Sequence, residues 1–284
     1  MSLYIVIAVL FFLMLGLGTS LHLRDFLDLL HRPQSLILGI FGQVILLPFV
    51  AFAICSFFSL DGYAAVGMML VASCSGGASS NILTMLIRGN VALSSLLTVT
   101  SSLLSIVSLP LLLSLVMHYF LREEMVMAIP VDKTMAQLIF TMAFPLALGR
   151  YIRRWPRLSG ILQWSVKKSS LLLLIGMISL FIFENHLLLL GNAAYLLFPL
   201  FLLIIFAGGG ISLLGSLFKI PASDNRTLVV EVGIQNAAQA MTISLSPFLL
   251  NDPRFAVPAI VYALVMNLVF IGFTLIYRFK FLGK

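Results

Sequence analysis

The chain has 284 residues, of which 61% are hydrophobic and only 10% are charged, and its formal net charge is +7. Soluble globular domains carry about 25% charged residues, so this composition excludes a protein with a water-covered surface. The positive charge does not indicate a nucleic-acid partner, because the charged residues lie between long apolar runs.

Nine apolar runs follow one another along the chain, and we call them segments A to I. A spanning helix needs about 20 residues, whereas the strands of a membrane barrel would alternate polar and apolar positions in segments of about ten residues. The sequence therefore predicts an all-α polytopic membrane protein with nine transmembrane helices, at residues 2–20, 35–58, 63–86, 91–120, 135–151, 169–184, 192–217, 227–249 and 255–277.

The basic residues of the connections predict the orientation. With the N-terminus outside and the C-terminus in the cytoplasm, only Arg122, Lys133 and Arg254 face outward. Fourteen face inward, as the positive-inside rule demands. They are Arg24, Arg32, Arg88, Arg150, Arg153, Arg154, Arg157, Lys167, Lys168, Lys219, Arg226, Arg278, Lys280 and Lys284.

Glu231 is the one acidic residue within an apolar run, since it lies inside segment H. An ionisable group in hydrocarbon costs a few kcal/mol and usually marks an ion or proton site. The alternative is that Glu231, five residues after Arg226, reaches the cytoplasmic interface. The polar residues that follow it favour a cation or proton site.

Segments C and H each contain a polar interruption. Segment C carries SCSGGASSN at 73–81, with Gly76 and Gly77 adjacent, and segment H carries a second polar patch, Gly233, Gln235, Asn236 and Gln239. Each segment is the middle one of a trio, B–C–D or G–H–I, so the pattern predicts an inverted-repeat transporter with two broken helices. Close packing of small residues is the alternative for the glycines.

Further polar side chains lie in neighbouring segments. Segment D places Ser94, Thr98, Ser101 and Ser105 on one helical face, and segment B contains Gln43 near Pro48. Alone, such groups serve backbone or interhelical hydrogen bonds. Together with Glu231 they offer the oxygen ligands that a hard cation such as sodium needs, as do Ser80, Asn81 and Gln235.

Four stretches resemble the bile acid:sodium symporter family in its nine-helix form. They are GLGTSLHLRDF in A, GQVILLPFVA in B, SCSGGASSNILTMLIRGNVALSSLLTVTS across C and D, and EVGIQNAAQAMTISL in H. The resemblance implies a single transporter domain with a panel (about 1–33 and 133–190) and a core (about 34–132 and 191–284), in which C and H are unwound and cross.

The resemblance also implies two sodium ions and no organic cofactor. Carried over by position, the first ion site has side chains Ser80, Asn81, Ser94, Thr98 and Glu231. The second has Gln43, Glu231 and Gln235 with the backbone carbonyls of Val232 and Ile234. Helix N-termini after the breaks suit an anionic substrate, which we place near Ser79, Asn236 and Asn267.

Some positions depart from the family pattern. The family often has proline before the glycine pair, where this chain has Ser75. Segment I has Met266 where many bacterial relatives have histidine, and segment H has Ala237 and Gln239 where smaller or apolar residues alternate. These positions face the expected substrate region, so the resemblance does not identify the substrate.

The predicted function is sodium-coupled symport, importing a small organic anion, either bile-acid-like or a carboxylate or sulfate compound, by alternating access. The expected surroundings are the lipid bilayer, specifically a bacterial inner (plasma) membrane, with no nucleic-acid partner and no predicted oligomeric state. Proton-coupled or uncoupled transport is the alternative, and a channel or membrane receptor is a distant one. An enzyme is not expected, because the four histidines lie at segment ends and there is no GxSxG motif.

Overall fold

The structure is a computed structural model that describes residues 3–20, 33–77, 79–121 and 130–282. Within these ranges the chain is helical apart from short links. The α-helices are α1 (Leu3–Ser20), α2 (Pro33–Phe41), α3 (Leu47–Phe57), α4 (Gly62–Ser73), α5 (Ser80–Leu86), α6 (Val91–Phe120), α7 (Val131–Leu138), α8 (Phe144–Ile152), α9 (Pro156–Leu217), α10 (Ala222–Gly233), α11 (Ala237–Leu245) and α12 (Val257–Leu282).

Five helical stretches within the described ranges are long and apolar enough to cross a membrane. They correspond to segments B, D, E, G and I, at Pro33–Phe57, Val91–Phe120, Val131–Ile152, Ala194–Leu217 and Pro253–Leu275. Two shorter apolar helices, Tyr4–Ser20 and Gly62–Ser73, lie in segments A and C. The all-α class is confirmed, whereas the count of nine transmembrane helices is not.

Segments F and G belong to one helix. Helix α9 runs from Pro156 to Leu217 over 62 residues without a break. At 1.5 Å per residue this is about 93 Å of helix, about three times the thickness of the hydrocarbon core. The sequence between the two segments, ENHLLLLGN at 184–192, has no proline and is rich in leucine, a strong helix former, which explains the continuity.

Two π-helical turns interrupt helices of the bundle, and each lies just before a proline. The turn Gly42–Leu46 joins α2 to α3 ahead of Pro48, and the turn Ile139–Ala143 joins α7 to α8 ahead of Pro145. A proline in a helix removes an N–H donor and clashes with the carbonyl four residues earlier. The wider π turn relieves that clash and alters the direction of the side chains within it.

The ends of α3 and α9 have the same turn geometry. Each helix is closed by three backbone hydrogen bonds of 2.8–3.2 Å with the same spacing. A residue of positive φ follows in both, Ser59 at 48° and Lys219 at 54°. Each turn then leads into a helix of 12 residues, Gly62–Ser73 or Ala222–Gly233, and each of these helices ends at a break.

The packing places the two breaks in the interior. Helix α4 lies against α3, α6 and α12, and all of its residues from Ala64 to Ser73 are buried. Helix α10 lies against α9 and α6, while α1 packs on α8 and on the first part of α9. Polar groups at the ends of α4 and α10 are therefore shielded from lipid.

Candidate ion and substrate site

The two interrupted helices meet at their breaks. Helix α4 ends at Ser73 and α5 begins at Ser80, so Gly76 and Gly77 lie in a non-helical link. Helix α10 ends at Gly233, and three residues separate it from the start of α11 at Ala237. We call these two links the first link (74–79, of which residue 78 lies outside the described residues) and the second link (234–236).

The two links pair with each other through an isolated antiparallel bridge between Gly76 and Gln235. The N–H of Gly77 donates to the carbonyl of Ile234 at 2.9 Å, and the N–H of Asn236 donates to the carbonyl of Ser75 at 2.9 Å. Buried backbone groups need such partners, especially within a membrane. Each break therefore supplies the hydrogen bonds that the other lacks, which makes the crossing possible.

The crossing requires a residue without a side chain at Gly76. A Cβ atom there would lie 2.6 Å from Oε2 of Glu231 and 3.2 Å from Nε2 of Gln43. A carbon–oxygen separation of 2.6 Å is far inside van der Waals contact. Any other residue would push the carboxylate out of place.

Glu231 lies at the centre of a cluster of hydroxyl groups. Its carboxylate is fully buried and accepts hydrogen bonds from Ser80 and Ser94, and from Thr98 at 3.0 Å. Ser80 begins α5, whereas Ser94 and Thr98 lie one turn apart on α6. The three hydroxyls come together because the crossing brings α5 and α6 against the end of α10.

The carboxylate has no cationic partner among the described residues. In particular, Arg226 donates to the backbone carbonyl of Arg88 at 2.7 Å and lies over the ring of Tyr277. The alternative interpretation required Glu231 to reach the interface beside Arg226. Glu231 does not do so. A buried ionised carboxylate without a countercharge costs several kcal/mol, so this cluster favours binding of a cation or a proton.

Two carboxamide oxygens beside the carboxylate are buried and have no hydrogen-bond partner within the described ranges. They belong to Gln43 and Gln235. Each side chain is anchored by its nitrogen: that of Gln43 donates to the carbonyl of Glu231 at 2.6 Å, and that of Gln235 to the carbonyl of Val232 at 2.9 Å. Unpaired buried polar atoms are costly, and carbonyl oxygens are ligands for hard cations. The residues present therefore fit a sodium ion.

The backbone carbonyls predicted for the second ion site already accept hydrogen bonds. That of Ile234 is paired with the first link, and that of Val232 with Gln235. A carbonyl oxygen has two lone pairs, so each retains one for an ion.

Asn81 is a predicted ion ligand whose hydrogen bond is to a different partner. Its Oδ1 accepts a hydrogen bond from Ser95 at 2.9 Å. Both residues line a cavity of about 340 Å³ between α1, α5, α6 and α9, to which Gln163 also contributes. No hydrogen bond of Asn81 to the carboxylate is present.

The three predicted substrate residues have different surroundings. Asn236 caps α11, since its Oδ1 accepts from the N–H of Gln239 at 3.1 Å, while its Nδ2 is buried without a partner in the described part of the chain. Ser79 precedes α5 and is partly buried. Asn267 donates from Nδ2 to the carbonyl of Ala263 in its own helix at 2.6 Å.

Gln239 is a residue of this site whose role the sequence did not indicate. It is fully buried, and its Oε1 accepts from both the N–H and the hydroxyl of Ser75 at 3.1 Å. Its Nε2 donates to the hydroxyl of Ser105 at 3.3 Å. The two departures from the family pattern at Ser75 and Gln239 are thus partners, because a serine in place of proline brings a backbone N–H that needs an acceptor.

A second buried carboxylate lies at the far end of α10. Asp224 is only 6% exposed and accepts from Ser35 at 2.7 Å and from Asn90 at 3.0 Å. The sequence places Asp224 in a connection, where exposure is the ordinary expectation. Its burial ties the start of α2 and the α5–α6 link to α10.

These features define a helical membrane protein in which two interrupted helices cross beside a buried carboxylate lined by hydroxyls and amides. The sequence profile of the Sodium Bile acid symporter family matches residues 7–192. The chain belongs to this family, so the resemblance noted from the motifs is confirmed.

Named relatives agree with this assignment. The human sodium/bile acid cotransporter 4 is 32% identical over 228 residues, which cover 78% of this chain and 51% of the relative. The mouse P3 protein is 30% identical over 250 residues, covering 85% of this chain and 51% of the relative. The sodium-dependent transporter YocS of Bacillus subtilis is 30% identical over 263 residues, covering 90% and 77%.

The chain spans about half the length of several of these relatives. The family and the relatives named for a function are transporters rather than enzymes.

Proposed function

We propose that this chain is a sodium-coupled symporter that imports a small organic anion by alternating access. One observation carries the proposal: the fully buried carboxylate of Glu231 is surrounded by hydroxyl and amide groups and lacks a cationic partner in the described ranges. Sodium supplies the missing charge. Two of the relatives are named as a sodium/bile acid cotransporter and a sodium-dependent transporter, and these names support this choice of ion.

We assign two sodium ions to the residues around the crossing. Both ions share Glu231, so a single negative charge is divided between two cations with otherwise neutral ligands. The first ion is assigned to Ser80, Asn81, Ser94, Thr98 and Glu231, and the second to Gln43, Glu231, Val232, Ile234 and Gln235. Asn81 must give up its hydrogen bond with Ser95 to take part, so we expect it to contribute least.

The substrate is assigned to the N-terminal end of α11, near Ser79, Asn236 and Asn267. The unpaired Nδ2 of Asn236 is a donor at a helix N-terminus, where N–H groups and the helix dipole favour an anion. The cavity of about 340 Å³ beside Asn81 lies at the lower end of the sizes found for small-molecule sites. We propose that it admits a carboxylate or sulfate compound to the crossing.

The crossing also supports an inverted repeat. The antiparallel pairing of Gly76 with Gln235 means that the two broken helices pass each other in opposite directions. The matching turns at Ser59 and Lys219, each followed by a 12-residue helix and a break, support the same relation between the trios B–C–D and G–H–I.

We further propose nine spans in an inner (plasma) membrane of bacterial type, with the N-terminus outside, the C-terminus in the cytoplasm, and the panel and core domains of the family. This arrangement requires segments F and G to cross separately. The contacts of α9 support it: Gln163 bonds to Thr19 near the end of α1, whereas Tyr195 bonds to Asp61 at the start of α4. Those two points lie at opposite predicted faces of the membrane.

The test is uptake into proteoliposomes at fixed pH, with sodium replaced by choline. A sodium symporter accumulates its substrate against a gradient only with sodium. Accumulation that is unchanged in choline would overturn the proposal. Because the substrate is unidentified, candidate carboxylates and sulfates are first screened for sodium-dependent thermal stabilisation of the purified protein.

Proton coupling is the second candidate, and the same carboxylate favours it. A protonated Glu231 has one proton, which one of the hydroxyls of Ser80, Ser94 and Thr98 can accept while the other two still donate to the carboxyl group. Uptake driven by a pH gradient in sodium-free buffer would identify this mechanism. Flux that never exceeds equilibrium would instead indicate a channel or an uncoupled carrier.

A further inference from the structure

A second, smaller cavity borders the candidate ion site. It has a volume of about 10 Å³, close to the minimum for one water molecule, and lies between the α2–α3 π turn, the end of α4 and the middle of α6. Its polar lining consists of Gln43, Ser73, Ser101, Ser105 and Ser108, and its remaining walls are mostly apolar. A space of this size suits a water molecule or a single small ion, not an organic substrate.

The cavity and the carboxylate site share a wall. Gln43 lines the cavity, is 2% exposed, and its Oε1 is unpaired within the described part of the chain. The hydroxyl of Ser101 accepts from the N–H of Gly76 at 3.4 Å. A Cβ on that same glycine would be 2.6 Å from Oε2 of Glu231, so only one residue separates the cavity from the carboxylate.

Three of the four serine hydroxyls of the cavity donate their protons to backbone carbonyls. Ser73 donates to a carbonyl of α4 at 2.7 Å, and Ser101 and Ser105 donate to carbonyls of α6 at 3.2 and 2.9 Å. A hydroxyl has one proton and two lone pairs. Ser101 and Ser105 also accept from Gly76 and Gln239, so each retains one lone pair for the cavity, which attracts a cation and repels an anion.

The hydroxyls also form a continuous line along α6. Ser94 and Thr98 hydrogen-bond to Glu231, and Ser101, Ser105 and Ser108 follow on the same face at alternating spacings of three and four residues. From Ser94 to Ser108 the helix rises by about 21 Å. Ser101 and Ser105 are buried, whereas Ser108 is partly exposed, so the line leads from the carboxylate to an accessible position.

We propose that this cavity is the passage by which sodium reaches Glu231, with Ser108, Ser105, Ser101 and the free Oε1 of Gln43 as successive oxygen ligands. The proposal rests on the sodium-coupled function proposed above. It separates the route of the ion from the larger cavity beside Asn81, which we assign to the organic anion. In the predicted orientation α6 runs outward, so the passage opens toward the outer half of the membrane.

The first experiment is cysteine labelling at the mouth of the passage. The variant Ser108→Cys is made in a background of Cys55→Ala and Cys74→Ala, because Cys74 also lines the cavity. The purified protein is treated with a small cationic thiol reagent, ethylammonium methanethiosulfonate. Ser102→Cys is the matched control, since Ser102 is buried on the same helix and does not line the cavity.

We expect Ser108→Cys to react, its labelling to slow at least fivefold in saturating sodium, and the labelled protein to lose sodium-driven uptake. The control should react at least tenfold more slowly and be insensitive to sodium. Labelled Ser108→Cys that takes up substrate at the unlabelled rate would overturn the passage. So would a Ser108→Cys that does not react although the folded protein still transports.

A second experiment separates the passage from the ion site itself. The variant Ser108→Ala leaves intact all proposed ligands of the bound ions and the hydrogen bond from Gln239 to Ser105. We expect sodium to bind about tenfold more slowly with an equilibrium affinity within twofold of the wild type, whereas Ser102→Ala changes neither. Wild-type binding rates in Ser108→Ala would contradict the passage, while a wild-type protein that does not bind sodium would contradict the proposed function instead.

Discussion

The partnership of Ser75 and Gln239 allows a quantitative prediction. In Gln239→Leu the side chain keeps nearly the same size, but the buried N–H and hydroxyl of Ser75 lose their acceptor. The hydroxyl can rotate to another partner, whereas the backbone N–H cannot. An unpaired buried donor costs about 1–3 kcal/mol, so we expect the free energy of unfolding to fall by about that amount.

A proline at position 75 should reverse most of this loss. Proline has no N–H, and Cys74 already has the extended conformation (φ −72°, ψ 163°) that the residue before a proline requires. The substitution removes both the N–H and the hydroxyl that donate to Gln239, so Gln239 no longer has a hydrogen-bond partner at position 75. The change Gln239→Leu should then cost at least 1 kcal/mol less in a Ser75→Pro background than in the wild type, which is a coupling energy of the size found for residues in contact.

The assay is a double-mutant cycle on the purified protein, with unfolding in mixed micelles as the stability measurement and sodium-driven uptake as the functional one. Gln137→Leu is the matched control, because Gln137 bonds to Thr242 and Ser246 and not to Ser75. Its cost should be the same with and without Ser75→Pro. If Gln239→Leu were also equally costly in both backgrounds, the explanation of the paired departures would be wrong.

Three further predictions concern the crossing, the far end of α10 and the topology. Gly76→Ala should abolish sodium-dependent stabilisation, because its Cβ would lie 2.6 Å from the carboxylate of Glu231. The control Gly272→Ala, with open space around it, should leave sodium binding unchanged. Equal behaviour of the two variants in a sodium thermal-shift assay would refute the steric argument. Asp224→Ala should lower the free energy of unfolding by about 1–3 kcal/mol, because the buried hydroxyl of Ser35 and the partly buried amide of Asn90 lose their acceptor, with a sodium affinity that stays near wild type in the same assay. A cysteine replacing His186 should react with an impermeant reagent outside the cell while one replacing Arg157 is protected, and labelling of both from one side would remove the proposal of nine spans.

The features that sequence predicted best are those with a large and local energetic cost. An ionisable residue in an apolar run usually marks an ion or proton site, so Glu231 was expected to lie among polar groups, and it is fully buried beside the hydroxyls of α5 and α6. The glycine pair at Gly76 and Gly77 likewise indicated a break, because glycine weakens a helix. Both inferences depend only on neighbouring residues, which a sequence displays directly.

The features that sequence did not predict depend on distant partners. Gln239 lies 164 residues from Ser75, and nothing in either neighbourhood indicates that their side chains meet. The burial of Asp224 has the same origin, since Ser35 and Asn90 reach it only when α2 and the α5–α6 link assemble on α10. The orientation of Asn81 toward Ser95 was also not predictable, because spacing on a helix does not specify with which of two neighbouring groups an amide will form a hydrogen bond.

The continuity of α9 illustrates a different limit. Hydropathy divides residues 169–217 into two spans because a few polar residues, ENH at 184–186, lie between apolar runs. Local helix propensity opposes a turn there, since the following residues are four leucines. The two criteria disagree, and only the contacts at Gln163 and Tyr195 supply the long-range information that bears on the topology.

Sodium binding to the purified wild-type protein, compared with Glu231→Gln, tests the central claim most directly. Glutamine keeps the size of the side chain and one acceptor oxygen but removes the negative charge that two cations are proposed to share. Thermal unfolding is followed as sodium chloride replaces choline chloride at constant ionic strength and pH. We predict that the wild type is stabilised by about 2.7 kcal/mol when sodium reaches 100 times its Kd, and that Glu231→Gln folds but shows no sodium-dependent stabilisation. Equal stabilisation of both proteins, with the same sodium affinity, would contradict the assignment of the coupling ions to this carboxylate.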